Sequence, residues 1–321
     1  MHVTVIGGAG SVGSTVAYTI AVTVPDVQLR LVDVATDAVR GHATDIEHAM
    51  NHDTHPVGAA ISSDVRGGRA PVTTMSPGPG AVADTDCIVV VYNVSRTEEA
   101  VQRGGRASYF EQNRRVADEI GDWMTGSEPC PVVVVTNPVD RITHHLWKRS
   151  GWPRESILGY SLSETARAAA EIGRIRDVDA GDVSCPMMGE HGEHVVPVFS
   201  RTTVDGEPID LTDDQRRQVL DYVRDVPYDV MRQRGPEESS RWVSGRGAAG
   251  VAHAILDGGT ADPVCLSVPL DGEYGYDDVC LSVPVTLSAD GWESIERWSL
   301  STWERERLDT AYEHLSDPGR E

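Results

Sequence analysis

The chain has 321 residues and a formal net charge of −22, from 50 acidic and 28 basic residues. That length is ample for a buried core and for two domains, while so acidic a balance argues against a nucleic-acid partner, whose phosphates most of the surface would repel. The longest apolar runs, CIVVVY and PVVVVT, are strand-sized, and no N-terminal signal is read, so a soluble cytoplasmic protein is expected. Lys148 is the only lysine. Acidic, lysine-poor surfaces resemble those of proteins from salt-accumulating microbes, in which carboxylates keep the chain hydrated and salt screens their repulsion. The cysteines at 87, 130, 185, 265 and 280 form no CxxC pair, and reduced thiols are expected.

In chain order, HVTVIG reads as a short buried strand. Gly8, Gly10 and Gly13 then form GxGxxG at the opening of an apolar helix, and QLRLVD is a second strand ending in Asp33. The glycines allow a tight turn, close approach of backbone to a pyrophosphate and close helix packing. The first helical turn, Ser11 and Val12 included, offers unpaired N–H groups to the phosphate. Asp33 would accept from ribose hydroxyls and repel a 2′-phosphate, which favours NAD over NADP. Further strands are predicted near 87–92 and 131–136, with helices near 37–50, 105–125 and 140–149, an alternation that makes a parallel sheet covered on both faces. The Gly- and Pro-rich stretch 66–83 reads as an irregular connection.

Beyond about residue 150 the pattern changes to paired strands and long helices near 212–233, 240–257 and 303–316. VCLSVPL at 264–270 and VCLSVPV at 279–285 read as two hairpin strands around DGEYGYDD. The expected fold class is therefore α/β: a Rossmann-type doubly wound parallel sheet over residues 1–145, and a C-terminal mixed α/β substrate domain over 146–321.

Within the second half, Glu164 and Arg167 lie three apart in the Ala-rich segment LSETARAAAEIG, and His191 follows in MMGEHGEH. On a helix, positions three apart share a face. Imidazole both gives and takes a proton near neutrality, and a carboxylate on its other nitrogen fixes the tautomer. A planar guanidinium grips a substrate carboxylate bidentately. A solvated helical ion pair and a structural histidine are the bland reading of the same residues. Two histidine groups were weighed as metal ligands: His48, His52 and His55 with Asp45 and Asp53, and His191 and His194 with Glu193. Neither is expected to bind metal, because the first helix should end before His55 and the strand pattern after Glu193 should turn His194 away from His191.

The blocks VIGGAGSVGSTVAY, LVDV, GHATDIEHA, VVTNPVD, SETAR, MGEHGEHVVPVFS, GVAHAIL and DGEYGYDDVCLSVPV run from residue 5 to residue 285. Through them the chain resembles the lactate and malate dehydrogenase family, and most of all its archaeal, halophilic malate dehydrogenase branch. The resemblance implies that His191 is the proton donor and acceptor and that Glu164 takes the place of the aspartate that orients it. It implies that Arg167 binds the substrate's C1 carboxylate and that Asn137 bonds the reacting oxygen. Catalysis from the substrate loop falls to Arg106, with Arg103 as runner-up. Arg96 stands at the specificity position, where a cation suits the second carboxylate of malate or oxaloacetate and would be left unpaired against a methyl group. Cofactor contacts are implied at Asn93, Asn113, Thr136 and Asn137.

Three departures stand out. Val91, Tyr92 and Asn93 replace the family's Thr-Ala-Gly, the loop from Arg96 to Arg106 is longer than usual, and Glu164 is one methylene longer than aspartate. An extra arginine, Arg246, lies near the substrate wall of relatives and is expected to face outward. The expected activity is reversible hydride transfer between malate and NAD, a step of the tricarboxylic acid cycle, in a homodimer or homotetramer. Lactate or another 2-hydroxy acid is the alternative substrate. A catalytically weak NAD-binding paralogue with a regulatory or structural role is the alternative of another class.

Overall fold

The computed structural model describes residues 1–51, 71–94, 110–235 and 238–317. In its first half, strands β1 (His2–Ile6), β2 (Gln28–Val32), β3 (Val72–Met75), β4 (Cys87–Val90), β5 (Val132–Val134) and β6 (Ile157–Gly159) alternate with helices α1 (Ser11–Thr23), α2 (Thr36–Asn51), α3 (Phe110–Thr125) and α4 (Val139–Ser150). All six strands pair in parallel in the order β3-β2-β1-β4-β5-β6. This is the order of dinucleotide-binding sheets, in which the crevice opens beyond the strand C-termini where the order reverses, between β1 and β4. Strands β4, β5 and β6 are buried along their whole length, which is why they are written as unbroken apolar runs rather than as alternating ones. Strand β3 corrects the reading of 66–83 as wholly irregular. It occupies the sheet edge, only Val72 of its four residues is buried, and one inward side chain leaves no apolar pattern to read.

The second half supplies α5 (Leu162–Arg176), β7 (Val183–Ser184), β8 (Met187–Gly189), β9 (Val195–Pro197), β10 (Thr203–Val204), β11 (Glu207–Pro208), α6 (Asp213–Arg234), α7 (Arg241–Leu256), β12 (Val264–Asp271), β13 (Asp277–Ser288), β14 (Gly291–Ile295) and α8 (Thr302–Ser316). Strands β12 and β13 form the expected hairpin, with Val264 opposite Val285 and Val268 opposite Leu281. They continue the large sheet: β12 pairs β6 and β13 pairs β8, both antiparallel. One sheet thus carries both the dinucleotide crevice and the β8–β9 turn that bears His191. Strands β7, β10 and β11 form a separate small sheet.

Local chemistry fixes the helix starts. Thr212 and Gln215 form a capping box at α6, and Ser301 and Glu304 form another at α8. Helix α7 packs along α1, where a Cβ on Gly245 would lie 2.5 Å from the Thr15 methyl, so glycine there sets the helix separation. The neighbouring Arg246 is exposed, as expected. The five cysteines form no disulfide. Among the described residues, no helix is long and apolar enough to cross a membrane.

Candidate active site

The turn after β1 is held by its glycines. Gly7 and Gly8 both donate to the carbonyl of Val32, at 2.8 and 3.1 Å, drawing the loop against the end of β2. A Cβ on Gly13 would sit 2.1 Å from the Gly7 carbonyl oxygen, so only glycine lets α1 begin this close to the loop. Gly10 precedes α1 and no side chain caps it, which leaves the first-turn N–H groups at Ser11, Val12 and Gly13 for an anion. Asp33 closes the far side, its two carboxylate oxygens accepting from Ala9 N at 3.0 Å and Ala35 N at 2.9 Å. Each oxygen keeps a lone pair for a hydroxyl donor.

These groups border a cleft of about 790 Å³, lined by Gly10, Ser11, Val12, Asp33 and Asn93 among the residues expected to bind cofactor. Val34, Val116, Ile120, Trp123 and Ser239 also line it, as do Val91, Tyr92 and Glu119. A glycine cradle, an uncapped helix N-terminus and a carboxylate for ribose hydroxyls fit NAD.

Gly8 and Gly13 are buried behind this wall rather than on it. Asn113 and Thr136 differ from the expectation of direct contact. Asn113 is fully buried, its amide donating to Asn137 O at 2.6 Å and accepting from Val94 N at 3.2 Å. Thr136 is buried with its hydroxyl donating to Tyr92 O at 2.8 Å. Both tie together the loops after β4 and β5. Tyr92, the bulky departure, turns its hydroxyl to Asn113 O at 2.6 Å and packs its ring against the core under α3. Burial pushes its phenol well above the usual range.

The trio comes together at the other end. Glu164, in the first turn of α5, is 4% exposed. Its Oε2 lies 2.8 Å from His191 Nδ1, and its Oε1 lies 3.3 Å from Arg167 NH1. Glutamate's extra methylene therefore does not separate it from the histidine. One carboxylate spans the imidazole and the guanidinium.

The backbone under His191 is fixed by a residue that the sequence reading overlooked. Asp140, in the first turn of α4, accepts from His191 N at 2.8 Å and from Ser267 Oγ at 2.6 Å. Burial raises its carboxyl to about 7, against the pull of those two hydrogen bonds. Asn137 lies three residues earlier, before a cis bond to Pro138. Its buried Oδ1 has no hydrogen-bond partner among the described residues, as expected of an amide kept for a ligand. Pro138, Asp140 and His191 line one small cavity, which places the Asn137 loop beside the histidine. Arg96, Arg103 and Arg106 lie outside the described residues, as do His52, Asp53 and His55.

Comparison with known proteins follows this geometry. Residues 1–159 match the family model described as the lactate/malate dehydrogenase NAD binding domain, and residues 164–318 match that of the lactate/malate dehydrogenase alpha/beta C-terminal domain. The chain belongs to the lactate/malate dehydrogenase family. As a member it is an oxidoreductase that uses NAD. It is similar to the malate dehydrogenase of Halobacterium salinarum, 31% identical with 98% of this chain and 97% of the relative covered. It is likewise similar to that of Natronomonas pharaonis, at 29% with 98% and 97% covered. An L-lactate dehydrogenase from Lactobacillus helveticus is 28% identical, with 97% and 92% covered. Among solved structures, malate dehydrogenase from Salinibacter ruber superposes with a TM-score of 0.82 at 28% identity, covering 98% of this chain and 95% of that one.

Proposed function

We propose that the chain is an NAD-dependent malate dehydrogenase, interconverting malate and oxaloacetate. The observation that carries the reading is the single Glu164 carboxylate in contact with both His191 Nδ1 and Arg167. With it stand the names of the relatives at 29–31% identity, which are malate dehydrogenases.

NAD, when bound, supplies the hydride acceptor and donor. Arg167 binds the C1 carboxylate of malate and fixes its orientation by the planar fork of its donors. Asn137, with its amide flipped so that the nitrogen faces the substrate, donates to the C2 oxygen, whose one proton is directed to His191. His191 Nε2 takes the hydroxyl proton as the carbon is oxidised. Glu164 holds the tautomer with Nε2 free to accept and stabilises the imidazolium that results. In reverse, protonated His191 supports charge developing on the carbonyl oxygen. By the resemblance to the family, Arg96 supplies the cation for the C4 carboxylate and Arg106 acts on the C2 oxygen. The cofactor set is Gly8, Gly10, Ser11, Val12, Gly13, Asp33 and Asn93, with Asn113, Thr136 and Asn137 ordering the nicotinamide side. Residues 1–145 carry the cofactor together with Arg96, Arg106 and Asn137 for the substrate, and 146–321 carry Glu164, Arg167 and His191.

The proposal extends to a cytoplasmic homodimer or homotetramer that works in high salt, a state that light scattering after gel filtration measures. The substrate is tested by NADH oxidation in molar KCl with oxaloacetate, pyruvate and longer 2-oxo acids. Oxaloacetate should be preferred over pyruvate by at least about 100-fold in kcat/KM, since a buried cation facing a methyl group is left unpaired. Equal use of pyruvate would refute the dicarboxylate assignment.

A further inference from the structure

Close to the proposed catalytic histidine, around the small cavity that His191 also lines, three side chains converge that the reaction does not use. Glu190 follows β8 directly, His194 precedes β9, and His314 lies near the end of α8. One ligand atom from each lies within 4.8 Å of the other two. We propose that Glu190, His194 and His314 form a site for a divalent transition-metal ion of the zinc class.

The geometry is pre-set from two directions. Glu190 Oε2 accepts from the backbone N–H of His194 at 3.0 Å, which fixes the carboxylate within its own turn. Its Oε1 then lies 3.7 Å from His314 Nε2, too far for a hydrogen bond. Two ligand atoms bound tetrahedrally to zinc, each about 2.0–2.1 Å from the ion, lie roughly 3.3–3.4 Å apart. The observed spacing is therefore close to that of a coordinated pair, and small side-chain rotations close it. The imidazoles of His194 and His314 stand with ring centres 4.4 Å apart, tilted by 39°. Arg141 donates to the His314 carbonyl at 3.2 Å and anchors the end of α8.

The donor set selects the metal. Two imidazoles and one carboxylate suit zinc, cobalt or nickel, whereas calcium and magnesium want oxygen ligands throughout. Three protein ligands leave a fourth position, and the adjoining cavity of about 120 Å³ has room for a water there. The sequence brings His194 to mind beside His191 and Glu193. The fold selects otherwise: His191 turns to Glu164, while His194 turns to His314, far along the chain. An ion here would staple the loop that carries His191 to the C-terminal helix.

The full-length protein, stripped with chelator in molar KCl with excess magnesium to occupy surface carboxylates, is titrated with Co²⁺ and then Zn²⁺. The expected result is a visible d–d absorption that saturates at one equivalent of Co²⁺ per chain and is displaced by Zn²⁺. In both His314→Gln and His194→Gln, which alter the site from different elements, Co²⁺ affinity should fall at least tenfold, with the circular dichroism of the apo protein unchanged. Absence of the band in the unaltered protein, or a band of equal strength and affinity in either folded variant, would overturn the assignment.

Discussion

Oε2 of Glu164 lies 2.8 Å from Nδ1 of His191, with both side chains almost wholly buried. In the proposed chemistry, a carboxylate at that distance selects the imidazole tautomer and stabilises the imidazolium that turnover forms. Glu164→Gln keeps the volume and removes the charge. It should lower kcat by about 10²–10⁴-fold, the range for a disabled acid–base pair, and leave NADH affinity within about twofold. Steady-state rates beside a fluorescence titration of NADH separate the two effects, and a variant with unaltered kcat would deny Glu164 this role.

Asp140 gives a pH signature in stability. Its carboxyl titrates near 7 in the folded protein because it is buried, against 3.8 for the free side chain. Between those values the folded state holds the proton that the unfolded state has released. The stabilisation from this group is therefore complete below about pH 4 and is lost as pH rises through about 7, a change on the order of 1–4 kcal/mol. Asp140→Asn can still accept from His191 N, donates to Ser267 Oγ where the carboxylate accepted, and cannot ionise. Its melting temperature should lose the decline between about pH 4 and 7 that the unaltered protein shows from this source. Parallel profiles for the two proteins would contradict the assignment.

Gly13 has no room for a methyl group, since its Cβ would lie 2.1 Å from the Gly7 carbonyl oxygen, a backbone atom that cannot rotate aside. Gly13→Ala should cost about 1–3 kcal/mol in unfolding free energy, the range for overpacking. It should also weaken NADH binding at least tenfold, because the α1 N-terminus would be pushed away from the loop. Urea denaturation and NADH titration read these separately.

The net charge of −22 predicts a strong salt dependence. At low ionic strength the carboxylates repel one another over long distances, whereas in 1 M salt the screening length is only about 3 Å. Melting temperature should rise markedly from dilute buffer to molar KCl. A curve flat across that range would rule out repulsion as a controlling term.

The parallel half of the fold was legible because buried strands must be apolar throughout: CIVV and VVV announce themselves. The long helices of the second half were legible from their polar and apolar alternation. Strand β3 was not, because at the sheet edge it buries a single residue amid glycine and proline. The site divides in the same way. Glu164, Arg167 and His191 carry residue types that chemistry demands, so their spacing could be read. Asp140 looks like an ordinary first-turn acid of α4, favourable to the helix dipole. The available signal was its position three before Thr143, on one face of α4. The opposite fate of Asn113 and Thr136 was hidden for a related reason. A polar residue beside a cleft can line it or brace it, and only the packing of α3 against the β4 and β5 loops decides which. The meeting of His194 with His314 depends on the docking of α8, which no local pattern encodes.

The most direct test of hydride transfer at this centre is the rate of NADH oxidation with oxaloacetate in molar KCl, for the unaltered protein and for His191→Ala. Turnover should fall at least about 10³-fold in the variant, consistent with loss of the acid–base group, while its NADH dissociation constant stays within about twofold. An unchanged kcat in a folded His191→Ala protein would contradict the proposed chemistry.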